Sequence, residues 1–266
     1  MPLHLSRPEL FPDDTNPLPV AGSAEQAALL DDELELGTER YLERLEQLSD
    51  ITHDIYPALT AACLHTVAEA LPGRRLRLLD LCSGIGVVTL KLLEAGLPIE
   101  RVTLADLSPE LMGRAEALLA RRLGERMPPL DTVEIDLLVD DLAERAGGQY
   151  DLVVTCNAFQ HFPRERQAQL CRQVHRLLGP SGVFVFESHF KPVRPRWKQS
   201  LVDQYQAQLR RHGAPEPFVA HAAEHIHRFH NYVNLREAYE WLEAAEFGFY
   251  ECVFRKDEIG IFTAVR

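Results

Sequence analysis

Residues 76–90, LRLLDLCSGIGVVTL, set an acid, a cysteine and two spaced glycines between two apolar runs. Glycine accepts positive φ and lets a ligand come close to the backbone. A helix starting there exposes unpaired N–H groups and the positive end of its dipole. Such a turn can hold a phosphate, a carboxylate or a ribose, and it also occurs as a plain tight strand-to-helix connection. Asp106 follows Gly86 by twenty residues, at the end of RVTLAD. A carboxylate at the tip of a neighbouring strand accepts hydrogen bonds from both hydroxyls of a ribose. A dinucleotide site usually reads GxGxxG, whereas here position 82 is Cys and position 89 is Thr. Asp80, inside the turn, would repel a pyrophosphate and suits a positive amino group. The pattern fits an adenosine with an amino-acid tail better than one with phosphates.

These side chains work together only if strands end side by side and helices leave from their tips. From residue 76 the sequence supplies that rhythm. LRLLDL, RVTLAD, TVEID, YDLVVTCN and GVFVFES read as strands. Between them GVVTLKLLEA, LSPELMGRAEALLARRL and RERQAQLCRQVHRLL read as helices, with DDLAERA a helical or irregular link and GPSG a stop. Ser108 is the expected N-cap of the second helix, with Pro109 at its first position and Glu110 in its first turn. Apolar strands alternating with amphipathic helices indicate βαβ units and a parallel sheet covered on both faces. The chain closes with a helix over 234–246 and two β-like runs joined by the polar RKDE, a hairpin that predicts one antiparallel edge strand.

LDLCSGIG, ADLSPELMGRA, VEIDLL, QYDLVVTCNAFQHF and LLGPSGVFVFES, in that order, resemble the motif series of class I S-adenosylmethionine-dependent methyltransferases. The likeness runs from about residue 54 to 190 and resumes in the closing helix and hairpin. It implies a Rossmann-like, doubly wound, mostly parallel seven-stranded α/β sheet with a C-terminal antiparallel hairpin strand, N-terminal helices and a helical cap insertion. It implies S-adenosylmethionine as cofactor and methyl transfer as the reaction. Asp80 would order the methionine amino group, Cys82 and Gly84 would offer backbone atoms, and Gly86 would keep the turn tight. Asp106 would clamp the ribose, and Leu107 would cover the adenine. Asp136 and Leu137 would address the adenine amino group and ring, with Asp140 and Asp141 as rival acids; Asn157 would lie near the sulfonium. Cys82 departs from the glycine more usual in the family.

Beyond the cofactor residues, His161 and His189 are the candidates for a base, each beyond a strand on the side where substrate would enter. Glu187 and Ser188 share that strand end, and Cys156 reads as a small buried hydrophobe. A segment over 191–232 interrupts the alternation and reads as a substrate cap. In it, Arg194 belongs to a basic stretch, KPVRPRWKQ, that is either a solvated link or a positive lip for an anionic acceptor. His221 and His225 share a helix face beside Glu224, a spacing that can bind a metal. With no third ligand in view, the preferred reading is a polar cap face of hydrogen-bonded histidines, without metal; a different reading is that these imidazoles line the substrate pocket and one removes a proton during transfer. Tyr41 and Tyr56, on N-terminal helices over 31–73, either close the site or pack in the core; residues 1–30 read as a loose arm.

Composition bounds the function. With 266 residues and 46% hydrophobic content, the core can be sizeable, and a net charge of −12 disfavours a nucleic-acid partner. Five scattered cysteines fit reduced thiols in a cytoplasmic protein, and no apolar run reaches membrane-spanning length. The expected partner is a small-molecule substrate, and the expected state is a monomer or homodimer. Two rival functions keep the same pocket: a cyclisation or elimination aided by the bound sulfonium, and a scaffold subunit without catalysis. A dehydrogenase ranks last, because of Asp80.

Overall fold

The structure is a computed structural model that describes residues 55–191, 230–256 and 258–266, with 202–203, 205–207, 209–211, 214, 216 and 219–220 between them. The expected arm over 1–30, the helix over 31–49, and Tyr41, Arg194, His221 and His225 lie outside the described residues.

Helix α1 (Ile55–Ala70) leads into β1 (Leu76–Leu81), α2 (Val87–Glu94), β2 (Ile99–Asp106), α3 (Pro109–Leu123), β3 (Leu130–Glu134) and α4 (Leu142–Ala146). There follow β4 (Tyr150–Thr155), α5 (Arg164–Leu177), β5 (Leu178–His189), α6 (Leu235–Ala244), β6 (Phe249–Lys256) and β7 (Ile259–Val265). The seven strands form one sheet in the order β3-β2-β1-β4-β5-β7-β6. Strands β1 to β5 pair in parallel, and β7 runs antiparallel to both β5 and β6. The parallel strands put the tips of β1, β2, β4 and β5 on one edge, which is where the order reverses between β1 and β4 and where a ligand crevice opens in such sheets.

Two apolar layers hold the sheet. On one face Leu76, Leu78, Leu152, Val154, Val183 and Val185 pack with α1, α2 and α3; on the other Leu79, Val153, Phe184 and Phe186 pack with α5 and α6. Phe184 stacks on Phe186 at 4.9 Å and Phe186 on Phe262 at 5.2 Å. The helix ends follow their sequence signals. Ser108 accepts a hydrogen bond from the Leu111 N–H and Pro109 opens α3, while Asn234 and Glu237 close a reciprocal capping box on α6.

Three local expectations are corrected. The antiparallel strand is β7, buried almost throughout, whereas the edge strand is β6, which alternates exposed and half-buried residues. The hairpin enters the sheet with its second arm, because that arm carries the continuous apolar run IGIF and β6 does not. GPSG is not a stop. It is an excursion within β5: Leu178 pairs with Tyr150, and the register shifts before Leu152 pairs with Val183. Strand β3 lies two residues earlier than TVEID, at Leu130–Glu134, because Asp136 leaves the sheet to hold the next turn. Between β5 and α6, the described residues of 202–211 are helical, and Arg210 pairs with Glu216 at 2.7 Å.

Candidate active site

The turn after β1 is stitched to the tip of β2. Gly84 N–H donates to Asp106 Oδ2 at 2.8 Å, Ser108 N–H donates to Asp106 Oδ1 at 3.0 Å, and Ser83 N–H reaches the Ala105 carbonyl at 3.2 Å. Cys82 (φ 54°), Gly84 (φ 50°) and Gly86 (φ 75°) all take left-handed backbone. Gly86 also packs closely on α3: a Cβ there would stand 2.9 Å from the Ala115 Cβ. Gly86 caps α2 without a side-chain hydrogen bond, so the first N–H groups of that helix are presented at the turn.

Three carboxylates surround Cys82: Asp106, Asp80 and Asp136 add to burial in pushing its thiol upward. Asp80 is fully enclosed and accepts a 2.7 Å hydrogen bond from Thr89 Oγ1 on α2. Burial lifts its carboxyl to about 7, against the hydrogen bonds from Thr89. Burial likewise raises Asp106 despite its backbone donors. Among the described residues, no Lys or Arg pairs with either acid. Ser83 Oγ is also buried without a hydrogen-bond partner among the described residues. Desolvated carboxylates without a cation, beside a glycine turn, suit a ligand bearing an ammonium and a ribose.

Asp136 and Leu137 follow β3. Asp136 Oδ1 accepts from Leu138 N–H at 2.9 Å, and Asp136 N–H donates to Asp140 Oδ2 at 2.9 Å. Asp140 and Asp141, the rival acids, are used structurally. Asp140 lies 3.6 Å from Arg145, and Asp141 caps α4 and meets Arg176 at 2.8 Å. Buried Arg166, not anticipated from sequence, donates to the carbonyls of Leu137 and Asp140 and fixes this loop. Leu137 is buried, and Leu107 is about half exposed beside Asp106 at the rim.

A second polar group lies beyond β4 and β5. Asn157 takes φ 55° and donates its N–H to Glu187 Oε2 at 2.7 Å. Glu187 is fully buried and raised to about 8, chiefly by desolvation and further by Glu258. Its Oε1 lies 3.4 Å from His189 Nε2. The His230 ring stands edge-on to both candidate bases, 4.7 Å from His189 and 4.9 Å from His161. Tyr232 lies 6.0 Å from His189. The sequence-predicted His161 and His189 are therefore brought into one cluster, through His230. The segment before α6 is tied down by Asn231 N–H to the Gln160 carbonyl (2.6 Å) and Lys191 N–H to the Val233 carbonyl (2.7 Å).

Sequence reasoning missed Glu258, read as part of a polar turn. It is buried because the turn folds over the end of β5, where Phe190 N–H donates to the Glu258 carbonyl at 2.6 Å. Glu187 and His230 were visible as residue types but not as partners. Tyr56 opens α1 and packs against the apolar core on that face of the sheet. Among the described residues, no group of three His, Cys, Asp or Glu side chains is arranged to hold a metal. None of the described helices is long and apolar enough to cross a membrane.

Residues 79–184 match a family model described as a methyltransferase domain. The YqeM protein of Bacillus subtilis is 30% identical over 117 residues, 42% of this chain and 42% of that one. The chain spans less than half the length of the curated relatives it matches. Magnesium protoporphyrin IX methyltransferase from Synechocystis, solved with S-adenosylmethionine bound, superposes with a TM-score of 0.51 at 17% identity, covering 79% of each chain. An O-methyltransferase family 2 protein from Planctomyces limnophilus, in complex with apigenin, gives a TM-score of 0.56 at 19% identity over 92% of this chain and 66% of that one. At these identities the structural likeness establishes the fold.

Proposed function

We infer that this chain, which carries a class I S-adenosylmethionine-dependent methyltransferase domain, transfers a methyl group to a small-molecule acceptor. The observation that carries the reading is the pair of buried carboxylates, Asp80 and Asp106, at adjoining strand tips around a left-handed glycine turn. Asp80 would receive the methionine amino group, and Asp106 the ribose hydroxyls. The N–H groups of the turn that includes Cys82 and Gly84 would face the methionine end. Asp136 and Leu137 would border the adenine from one side and Leu107 from the other. When bound, the cofactor supplies an electrophilic methyl carbon: the acceptor's lone pair forms the new bond, and the carbon–sulfur pair stays on sulfur. The protein's own contribution is alignment and exclusion of water.

The acceptor end is supported by the second polar group. Asn157, held by Glu187, would stand beside the sulfonium, with His161 and His189 facing the acceptor. The basic stretch around Arg194 supports an anionic group on the far part of the acceptor, and His221, His225 and Tyr41 remain proposed lining residues. A small acceptor is supported by the O-methyltransferase and porphyrin methyltransferase folds among the structural neighbours and by the length of the segment over 191–232.

Calorimetry tests the pocket, and product analysis tests the chemistry. S-adenosylmethionine and S-adenosylhomocysteine should both bind, with one site per chain. Turnover should release S-adenosylhomocysteine in step with the methylated product. Binding without that product would transfer the reading to a cyclisation or elimination, and absence of binding would leave a scaffold.

A further inference from the structure

The loop between β3 and α4, residues 135–141, folds on itself and is then held from outside by one arginine. Ile135 N–H ties its start to the Asp106 carbonyl at 3.0 Å. The Asp136 carbonyl accepts from Val139 N–H at 3.1 Å and Asp140 N–H at 2.8 Å, and Asp136 Oδ1 accepts from Leu138 N–H at 2.9 Å. The Asp136–Leu137 peptide is trans, so its N–H points away from its carbonyl. The Leu137 N–H is therefore directed out of the turn, and it donates to nothing among the described residues. Asp136, with Oδ1 engaged by Leu138, keeps acceptor capacity on its other oxygen. A carboxylate beside an outward N–H sets an acceptor next to a donor. That pair matches the amino group and N1 of adenine. It mismatches hypoxanthine at both points, because that base presents a carbonyl and an N1–H.

The tip of the loop, Val139, is exposed and adds no packing to hold this pair in place. Arg166, 9% exposed in the first turn of α5, supplies the anchor. Its guanidinium donates to the Leu137 carbonyl, to the Asp140 carbonyl at 2.5 Å and to Gln169 Oε1 at 3.1 Å. Asp136, Asp140 and Asp141 lie close enough to favour its charge. Burying a guanidinium is costly unless its donors are matched, and here two of them go to loop carbonyls, which fixes backbone geometry. The exit of the loop is held separately from the same helix: Leu142 N–H donates to Gln173 Oε1 at 3.3 Å, and Arg176 meets Asp141 at 2.8 Å.

We propose that Arg166 is the positioning residue for base recognition in the cofactor site: by holding the Leu137 carbonyl it aims the Leu137 N–H, and with it the Asp136 carboxylate, at the edge of an adenine. This rests on the methyl-transfer reading above, in which Asp136 and Leu137 border the base. The ribose and the amino-acid tail are assigned to Asp106 and Asp80, whose turn Arg166 does not touch. Loss of Arg166 should therefore fall on the base alone. A loop free to shift meets adenine and hypoxanthine about equally well, so selectivity drops while binding persists.

The test is calorimetry on the full chain with S-adenosylhomocysteine and with S-inosylhomocysteine, which differ only at the base edge. The unaltered protein should bind the adenosyl compound tighter by about tenfold or more, because the inosyl compound reverses both hydrogen bonds. In Arg166→Gln the ratio should shrink to about threefold or less, chiefly through weaker binding of the adenosyl compound. Arg166→Lys keeps the charge without the fork that spans two carbonyls, so its ratio should fall between these, and it serves if Arg166→Gln does not fold. Arg176→Gln removes the same charge from the same helix and should keep the full ratio. A general loosening of the fold would weaken both compounds alike and leave the ratio unchanged. An undiminished ratio in the folded Arg166 variant, or an equal fall in Arg176→Gln, overturns the proposal. Equal binding of both compounds by the unaltered protein also overturns it, with the methyl-transfer reading intact. Absence of binding by either compound sinks that reading itself.

Discussion

Asp106 has two tasks in the same few ångströms. It receives the N–H groups of Gly84 and Ser108, which fixes the turn, and its remaining acceptor capacity faces the position proposed for the ribose. Asp106→Ala should therefore weaken S-adenosylmethionine binding by about 1.5–3 kcal/mol, the usual loss for hydrogen bonds to a charged group, as read by calorimetry. Unchanged affinity would move the ribose elsewhere. At this scale the placement of the residues proposed for the cofactor was legible, because they sit at or just past strand ends, where neighbours in sequence are neighbours in space. Asp80 and Asp106 needed only the spacing of two strands. His230 could not be read so. Its neighbours come from separate places, His161 from the turn after β4 and His189 from the end of β5, and the sequence between residues 191 and 230 carries no local signal that sets where the chain returns.

The strand–turn–helix element after β1 depends on a close approach as well as on a backbone angle. Gly86 joins β1 to α2 at φ 75° and lies against Ala115 of α3. In Gly86→Ala the left-handed backbone alone should cost about 1–2 kcal/mol, and the 2.9 Å contact with the Ala115 Cβ must be relieved by moving α2 or α3. Denaturant titration should show a lower midpoint, and cofactor affinity should fall with it because the presented N–H groups move. A neutral result would mean that the turn is more pliable than its packing indicates. The alternating elements were legible from period and caps: α3 begins where Ser108, Pro109 and Glu110 say it should. The shortfalls have local causes. Asp136 leaves β3 because its carboxylate holds the Leu138 N–H, and GPSG stays within β5 because flanking residues pair on both sides of it. Neither competing bond is visible in hydrophobic pattern.

Across the whole molecule, the unliganded protein carries a charge imbalance within its interior. Asp80 and Glu187 lie on the same face of the sheet, with Cys156 between them feeling both acids, and each is raised by burial, to about 7 and about 8. Both folded values lie above the ordinary carboxylate range, so the folded state holds protons that the unfolded chain has released. Stability from these groups is complete below about pH 4 and is lost as pH rises through 7 to 8. Asp106, also raised by burial, acts in the same sense; Asp141 and Glu216, lowered by partners, act in the opposite sense below the ordinary carboxylate values, and His175, lowered by burial, opposes the slope only below the ordinary imidazole value. Chemical denaturation of the cofactor-free protein should therefore show stability falling from pH 5 to 8.5, and the double variant Asp80→Asn, Glu187→Gln should flatten that slope. A cationic ligand reverses the sense, because it binds the ionised form. S-adenosylmethionine should bind more tightly as pH rises through about 7, and Asp80→Asn should remove most of that dependence. An unliganded protein whose stability climbs over the same range would mean that these carboxyls are already ionised, and that the pocket is not waiting for a positive charge.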